Sequence, residues 1–396
     1  MMQISPETQL FIREHSSDDV RVLALQAKKY PDIDMPTAIT QIAGRKVAAE
    51  KIPSWWEIEK IWYPKHLSLE QCSSEITARY KARLLQGDSL TDLTGGFGID
   101  CSFLATGFKS ATYVERQEEL CEIAAHNFPV LNLNHINIKN EDGVTYLQAM
   151  SPVDCLFLDP ARRNEHGGKT VAISDCEPNV AELEELLLQK ANRVMIKLSP
   201  MLDLSLALKE LKQTQEVHIL SVNNECKELL ILLGQTSPAE ISIHCVNLFT
   251  KGTQKEQHFV FTREQEQCSE CTYTDTLENY LYEPNASLLK AGAFRIITSA
   301  FPVKKLHPNS HLYTSDTFIE NFPGRIFRIV NQCSFNKKEV KENLADLKKA
   351  NVTVRNFPAT VAELRKRIHL AEGGDTYLFA STLNNGQKVL IRCEKV

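Results

Sequence analysis

Beyond residue 88 the chain alternates short apolar runs with amphipathic ones, and this alternation restricts the fold more than any other feature of the 396 residues. The pattern predicts strands at 89–93, 111–115, 136–139, 153–158, 193–197 and 217–222, with helices at 118–127, 143–150, 179–190 and 204–211. Near-continuous apolar strands separated by helices predict an α/β domain with a mostly parallel sheet covered on both faces. Runs at 228–233, 241–248 and 258–262 read as antiparallel strands closing the sheet edge.

The flanks have a different texture. The first part reads as helical. Pro36 and the rhythm Ala38, Ile39, Ile42, Ala43, Val47, Ala48 predict an amphipathic helix. Pro53 should stop it, and Ser54 should cap the next, which carries Trp55 and Trp56. A further helix is predicted over 68–85. After 275 the pattern becomes one or two small α+β units, with a loop at Asn321-Phe322-Pro323-Gly324 separating them. The last unit should hold a strand at 325–330, a helix at 337–350, a strand at 352–355, a helix at 360–368 and a hairpin turning at Asn384-Asn385-Gly386. The domains expected are therefore 1–86, 87–275, 276–322 and 323–396.

Charge and cysteine content narrow the function classes. Lys and Arg number 45 against 50 Asp and Glu, so a globally basic nucleic-acid coat is excluded and a local basic patch is not. No apolar run approaches the 18 or so residues of a membrane span, and the N-terminus lacks the basic-then-apolar order of a secretory signal. Eleven scattered cysteines fit reduced thiols in a cytoplasm.

The candidate chemistry begins at Asp92-Leu93-Thr94-Gly95-Gly96-Phe97-Gly98-Ile99-Asp100, which follows a strand and opens a helix. Glycines let the backbone turn tightly and approach a ligand. Cys101 occupies the third glycine position of a dinucleotide fingerprint, and no Walker-type lysine follows, so a phosphate-bearing nucleotide is disfavoured. Asp92 would repel a phosphate and accept from an amine. Glu115 ends the next strand, where a carboxylate can take both hydroxyls of a ribose, with Arg116 beside it. Asp142, followed by Gly143, can accept from an adenine amine. Ligands of open parallel sheets sit beyond the C-terminal strand ends, where all of these fall. Together they describe an adenosine without phosphates and with a charged amino-acid tail, which is S-adenosylmethionine. The alternative is a β/α domain whose acids merely cap helices.

The strand at 153–158 runs into Asp159-Pro160-Ala161-Arg162-Arg163. Asp159 and Pro160 would place a rigid carboxylate and a fixed carbonyl where a methyl acceptor should sit. Arg162 and Arg163 would bind a phosphate beside a target nucleotide, or lie on a solvated loop or in an internal ion pair. Lys197, ending the fifth strand, would contact substrate phosphate or steer a proton, or is an ordinary exposed lysine. Cys176 is a candidate nucleophile for carbon methylation, disfavoured by its acidic neighbours Asp175 and Glu177. Tyr80 and Arg83 are candidates for the cofactor mouth. Trp55, Trp56 and Trp62 offer stacking surfaces or core. Residues 337–367 hold nine Lys/Arg against four acids, a candidate phosphate-binding face. Cys268 and Cys271 form a lone CxxC, and the histidines are scattered, so no metal is expected.

The Asp92–Asp100 turn, Glu115, Asp142 and Asp159-Pro160 resemble those of class I S-adenosylmethionine-dependent methyltransferases. The Asp-Pro-Ala-Arg run is similar to the Asp-Pro-Pro-Arg of some RNA methyltransferases, with Ala161 for the second proline. More closely, the chain resembles a bacterial group with a THUMP-like C-terminal domain. The matching stretches are Gln41-Ile42-Ala43-Gly44-Arg45-Lys46, Pro53-Ser54-Trp55, Gln71-Cys72-Ser73-Ser74-Glu75, Glu283-Pro284-Asn285, Lys290-Ala291-Gly292 and Glu372-Gly373-Gly374-Asp375. The resemblance implies a Rossmann-like core, a helical N-terminal region, a ferredoxin-like unit at 276–322 and a THUMP-like domain at 323–396. It implies Asp92, Thr94, Gly95, Gly96, Phe97, Gly98, Asp100, Glu115, Arg116, Asp142 and Gly143 around the cofactor, Asp159 and Pro160 at the acceptor, and Arg162, Arg163 and Lys197 on the substrate. The expected activity is cytoplasmic methyl transfer to a base nitrogen of tRNA or rRNA. The alternatives are a non-catalytic RNA-binding module and a methyltransferase of small molecules or proteins.

Overall fold

The computed structural model describes residues 4–162, 172–236 and 238–396, in two compact units: Met1–Gln215 with Leu229–Pro238, and Glu216–Glu228 with Ala239–Val396.

The first unit opens with helices. Met35–Lys51 starts where Pro36 predicts, because Asp34 accepts from the Thr37 amide and caps it. Ala38, Ile42 and Ala48 form its buried stripe. Ser54 does not cap the next helix as expected. Pro53–Trp56 is a single turn whose Ser54 amide donates to the Glu75 carboxylate at 2.8 Å. The helix expected over 68–85 is broken into His66–Gln71 and Glu75–Ala82, with Cys72 and Ser74 extended between them. The break turns Ser73 inward, where it is 4% exposed.

Strands β1 (Ser89–Asp92), β2 (Ser110–Glu115), β3 (Ile136–Asn140) and β4 (Val153–Leu158) follow, interleaved with helices Ile99–Ala105, Glu118–Val130 and Gly143–Ala149. β1 lies between β2 and β4, parallel to both, and β3 extends the sheet beside β2. Two-residue strands β5 (Ala161–Arg162) and β6 (Cys176–Glu177) form a small antiparallel ribbon. β7 (Ala191–Leu198) runs parallel to β4. The Leu229–Gly234 half of β9 (Glu225–Gly234), which follows β8 (Thr214–Val222), closes this edge antiparallel to β7. Leu90, Leu156, Phe157, Met195, Ile196 and Leu230–Leu233 are each at most 1% exposed, the physical reason the strands are apolar without alternation. The strand order reverses between β1 and β4, so a crevice opens beyond their C-terminal ends.

In the second unit β10 (Ser242–Leu248) is parallel to β8, not antiparallel as expected, and β11 (Glu256–Thr262) is antiparallel to β10. The cause is the turn Asn223-Asn224, both at positive φ, which makes β8 and β9 a hairpin, so the strand after β9 runs with β8 again. The remaining strands are β12 (Tyr280–Pro284), β13 (Lys304–Lys305), β14 (Tyr313–Ser315), β15 (Gly324–Ser334), β16 (Asn351–Arg355), β17 (Thr376–Thr382) and β18 (Lys388–Lys395). They form one sheet in the order β13-β14-β12-β15-β18-β17-β16. The strands on either side of the Asn321–Gly324 loop share this sheet, because β15 pairs with β12 on one side and β18 on the other. Gly324 permits this: a Cβ there would lie 2.2 Å from the Glu283 carbonyl oxygen. Leu281, Phe327, Phe379 and Ile391 share one core beneath the sheet. Asn336 and Thr360 cap helices Lys337–Leu344 and Val361–Ile368, the first ending six residues earlier than expected. No described helix is long and apolar enough to cross a membrane.

Candidate active site

The end of β1 is tied to its neighbours by its own polar groups. Asp92 Oδ1 accepts from the Thr94 amide at 2.9 Å, and Thr94 Oγ1 accepts from the Asp159 amide at 2.6 Å. The turn that follows needs glycine twice over. A Cβ on Gly95 would lie 2.2 Å from the Tyr113 ring, and Gly98, at φ +85°, caps helix Ile99–Ala105 in the left-handed region. The Gly96 amide donates to Glu115 Oε2 at 2.8 Å, and Glu115 Oε1 accepts from the Gln117 amide at 2.8 Å. Glu115, expected at a ribose, thus holds the turn through one lone pair per oxygen and keeps a second on each.

Phe97 differs from its expected place. Its ring is 4% exposed and meets Trp55 edge-on at 5.2 Å between centroids, so only its backbone borders the turn. Asp142, expected at an adenine amine, is exposed and caps helix Gly143–Ala149, its Oδ1 accepting from the Val144 and Thr145 amides at 3.0 Å. A Cβ on Gly143 would lie 2.2 Å from the Leu93 carbonyl oxygen, so the Asp142 loop passes close over the β1 end. Arg116 is exposed and pairs with Glu177 of the β5–β6 ribbon at 3.6 Å.

Asp92 is fully buried, and its Oδ2 has no hydrogen-bond partner among the described residues. Burial, reinforced by the nearby carboxylates of Asp100, Asp159 and Glu115 and opposed by the Thr94 amide, pushes its carboxyl up to about 8. Asp100 behaves oppositely. Burial raises it, but Lys81 Nζ at 2.9 Å and Lys197 Nζ at 3.3 Å outweigh burial and hold it below the usual carboxylate range. Ser73 Oγ donates to Asp100 Oδ2 at 2.7 Å.

Lys197 is not an exposed strand-end lysine. It is 8% exposed and joins Ser73 Oγ at 3.0 Å to Asp100 and Asp159. Asp159 is the more open member, its side chain 36% exposed at the mouth of β4, with Pro160 buried behind it. Four carboxyl groups, of Asp92, Asp100, Glu115 and Asp159, therefore share the crevice with two ammoniums, of Lys81 and Lys197. The carboxyl groups outnumber the ammoniums, which suits a cationic ligand.

Arg162 contributes its backbone to the β5–β6 ribbon, while its side chain and Arg163 lie outside the described residues. Cys176 is 2% exposed on the same ribbon. Tyr80, a candidate for the cofactor mouth, is buried under the guanidinium of the exposed Arg83, 4.7 Å above its ring. Trp55 is core, Trp62 stacks on His126 at 3.7 Å, and Trp56 is 42% exposed.

Sequence reading missed Ser73 and Lys81, although a signal existed: Lys81 follows Thr77 and Ala78 on the buried face of an amphipathic helix, where a lysine requires a partner. The histidines are scattered in the sequence but not in the fold. Glu216, His218 and His244 instead bring ligand-type atoms within 4.8 Å of one another, and His258 adjoins them. Burial, with His218 and His258 alongside, pushes His244 down to about 4.

Comparison with known proteins resolves the family. A model described as a ferredoxin-like domain matches residues 280–323, and one described as THUMP domain-like matches 324–395. The crystal structure of a candidate methyltransferase from Porphyromonas gingivalis W83 is 34% identical, covers 100% of both chains and superposes with a TM-score of 0.88. The chain belongs to this methyltransferase family. It joins a Rossmann-like class I core to ferredoxin-like and THUMP-like C-terminal domains, as the resemblance implied. An rRNA methylase from Streptococcus thermophilus is 15% identical over 40% of this methyltransferase and 93% of its own chain, with a TM-score of 0.30. A candidate methyltransferase from Streptococcus mutans, in complex with SAH, is 13% identical over 40% and 96%, also at 0.30. At those scores neither bears on the chemistry here. No curated protein matches the chain.

Proposed function

We propose that this methyltransferase takes a methyl group from S-adenosylmethionine and delivers it to a base nitrogen of RNA, tRNA or rRNA, in the cytoplasm. The observation that carries the reading is the partnerless Oδ2 of a fully buried Asp92 at the end of β1, within a crevice of four carboxyl groups and two ammoniums. A buried acceptor without a donor is costly unless a ligand supplies one. An amino-acid ammonium would supply it, displacing the proton that the raised Asp92 carboxyl holds in the ligand-free protein. At Gly96 a Cβ would meet nothing nearer than the Thr94 carbonyl oxygen at 3.8 Å, which leaves room for the tail, and the remaining lone pairs of Glu115 suit a ribose diol. Asp142 and Gly143 would border the base. When bound, the cofactor supplies an electrophilic methyl on sulfur.

The protein's own part is positioning. In-line displacement by a lone pair needs alignment and an unprotonated acceptor. Asp159, held by Lys197 and by its own amide on Thr94, offers a fixed carboxylate to an acceptor amine. Pro160 offers no competing N–H.

RNA is favoured by the THUMP-like match and by the basic face of the last domain. Of its nine cations, Arg355 and Arg365 are held by Glu283 and Glu372, and Arg367 lies on Phe335. Lys337, Lys338, Lys341, Lys348, Lys349 and Lys366 remain exposed. The test is transfer of radiolabelled methyl to total RNA from a deletion strain. Label in RNA supports the reading, label only in protein or small-molecule fractions overturns the substrate, and no label in any fraction overturns the activity.

A further inference from the structure

The β8–β10–β11 ladder gathers imidazoles that sequence spacing hides. Glu216 and His218 are two residues apart on β8 and so share one face. The parallel register sets His244 of β10 directly beside His218. On β11, His258 faces Val246 and is the diagonal neighbour of His244 on that face. The His218 and His244 rings stack at 4.3 Å and 17°. His218 Nε2 lies 3.2 Å from Glu216 Oε2, and His244 Nδ1 lies 3.1 Å from His258 Nε2. A nitrogen-to-nitrogen contact of that length needs one neutral imidazole as acceptor.

We propose that Glu216, His218 and His244 form a binding site for a divalent transition cation of the zinc class, with His258 bonded to the second nitrogen of His244. The donor chemistry selects the ion. Two imidazoles and a carboxylate suit zinc, cobalt or nickel, whereas magnesium and calcium demand mostly oxygen. The spacing agrees: tetrahedral zinc with bonds of about 2.0–2.1 Å separates its ligands by about 3.3 Å, close to the 3.2 Å between His218 and Glu216. The three ligand atoms lie within 4.8 Å of one another, and rotation that unstacks the two imidazoles would turn their lone pairs onto one ion. Access is graded, with His218 buried, His244 and Glu216 partly exposed and His258 exposed. A bond from a neighbouring side chain to the far nitrogen is the usual device that orients a metal-binding histidine. None of these residues belongs to the crevice at β1 and β4.

The experiment uses the full chain, stripped by a chelator and titrated with Co2+, then Zn2+. The expected result is one equivalent of Co2+ with the visible bands of a low-coordinate nitrogen and oxygen site, displaced by Zn2+. H218Q and H244Q should each weaken binding by more than about 100-fold, H258Q by about 10–100-fold, and C268S/C271S should bind as wild type. Circular dichroism verifies that each variant is folded, and the wild-type spectrum stands without any variant. Absence of Co2+ binding, a thiolate-to-cobalt charge-transfer band, or unchanged affinity in folded H218Q and H244Q would overturn the site.

Discussion

Lys81, with no exposed surface, lies 2.9 Å from Asp100 and brings a cation from the N-terminal helices to the helix behind the glycine turn. Buried ion pairs rarely add net stability, but removing one member leaves an uncompensated charge. K81M should therefore destabilise the protein by about 3–5 kcal/mol in urea unfolding. K81M/D100L should recover much of that loss. A K81M protein as stable as wild type would mean that the pair carries little energy.

Asp92 makes stability depend on pH. Its carboxyl, raised from 3.8 to about 8, is protonated in the folded protein at neutral pH and ionised once unfolded. Unfolding then releases a proton, so the ligand-free protein should lose stability as pH climbs from about 4 to about 8. D92N should flatten this slope and be the more stable protein at pH 8. Thermal melts across that range test it. A wild-type curve that rises over the same window would contradict the buried, partnerless carboxyl.

Gly95 is held against Tyr113. G95A forces its new methyl into that ring and should cost about 1–3 kcal/mol by overpacking. The cost should shrink in a Y113A background, a coupling that a double-mutant cycle reads out.

The exposed lysines of helix Lys337–Leu344 predict a salt-dependent grip on RNA. K337Q/K338Q/K341Q should weaken binding at low salt and flatten the salt slope by about 0.7 for each phosphate of single-stranded RNA that is no longer neutralised. Fluorescence anisotropy over a salt series checks this. An unchanged slope would move the RNA face elsewhere.

The parallel core was readable because both faces of its strands are buried, which imprints near-continuous apolar runs from Val153–Leu158 to Ala191–Leu198. The first long helix was readable because its cap and proline are local. The break at Cys72–Ser74 was not, since no proline or glycine marks it. The reward for breaking comes from Asp100, which is distant in sequence. Lys197 looked like a surface lysine for the same reason: its partners Asp100 and Asp159 lie 97 and 38 residues away. The histidine group depends on the register between three strands, which residue spacing does not encode.

Isothermal titration of the purified protein with S-adenosylmethionine decides whether the crevice at β1 and β2 is a cofactor pocket. Wild type should bind one equivalent, and D92A and E115A should each lose about 1–3 kcal/mol of affinity, the value of a hydrogen bond to a charged group. No heat of binding from wild type, or equal affinity in both variants, would contradict it.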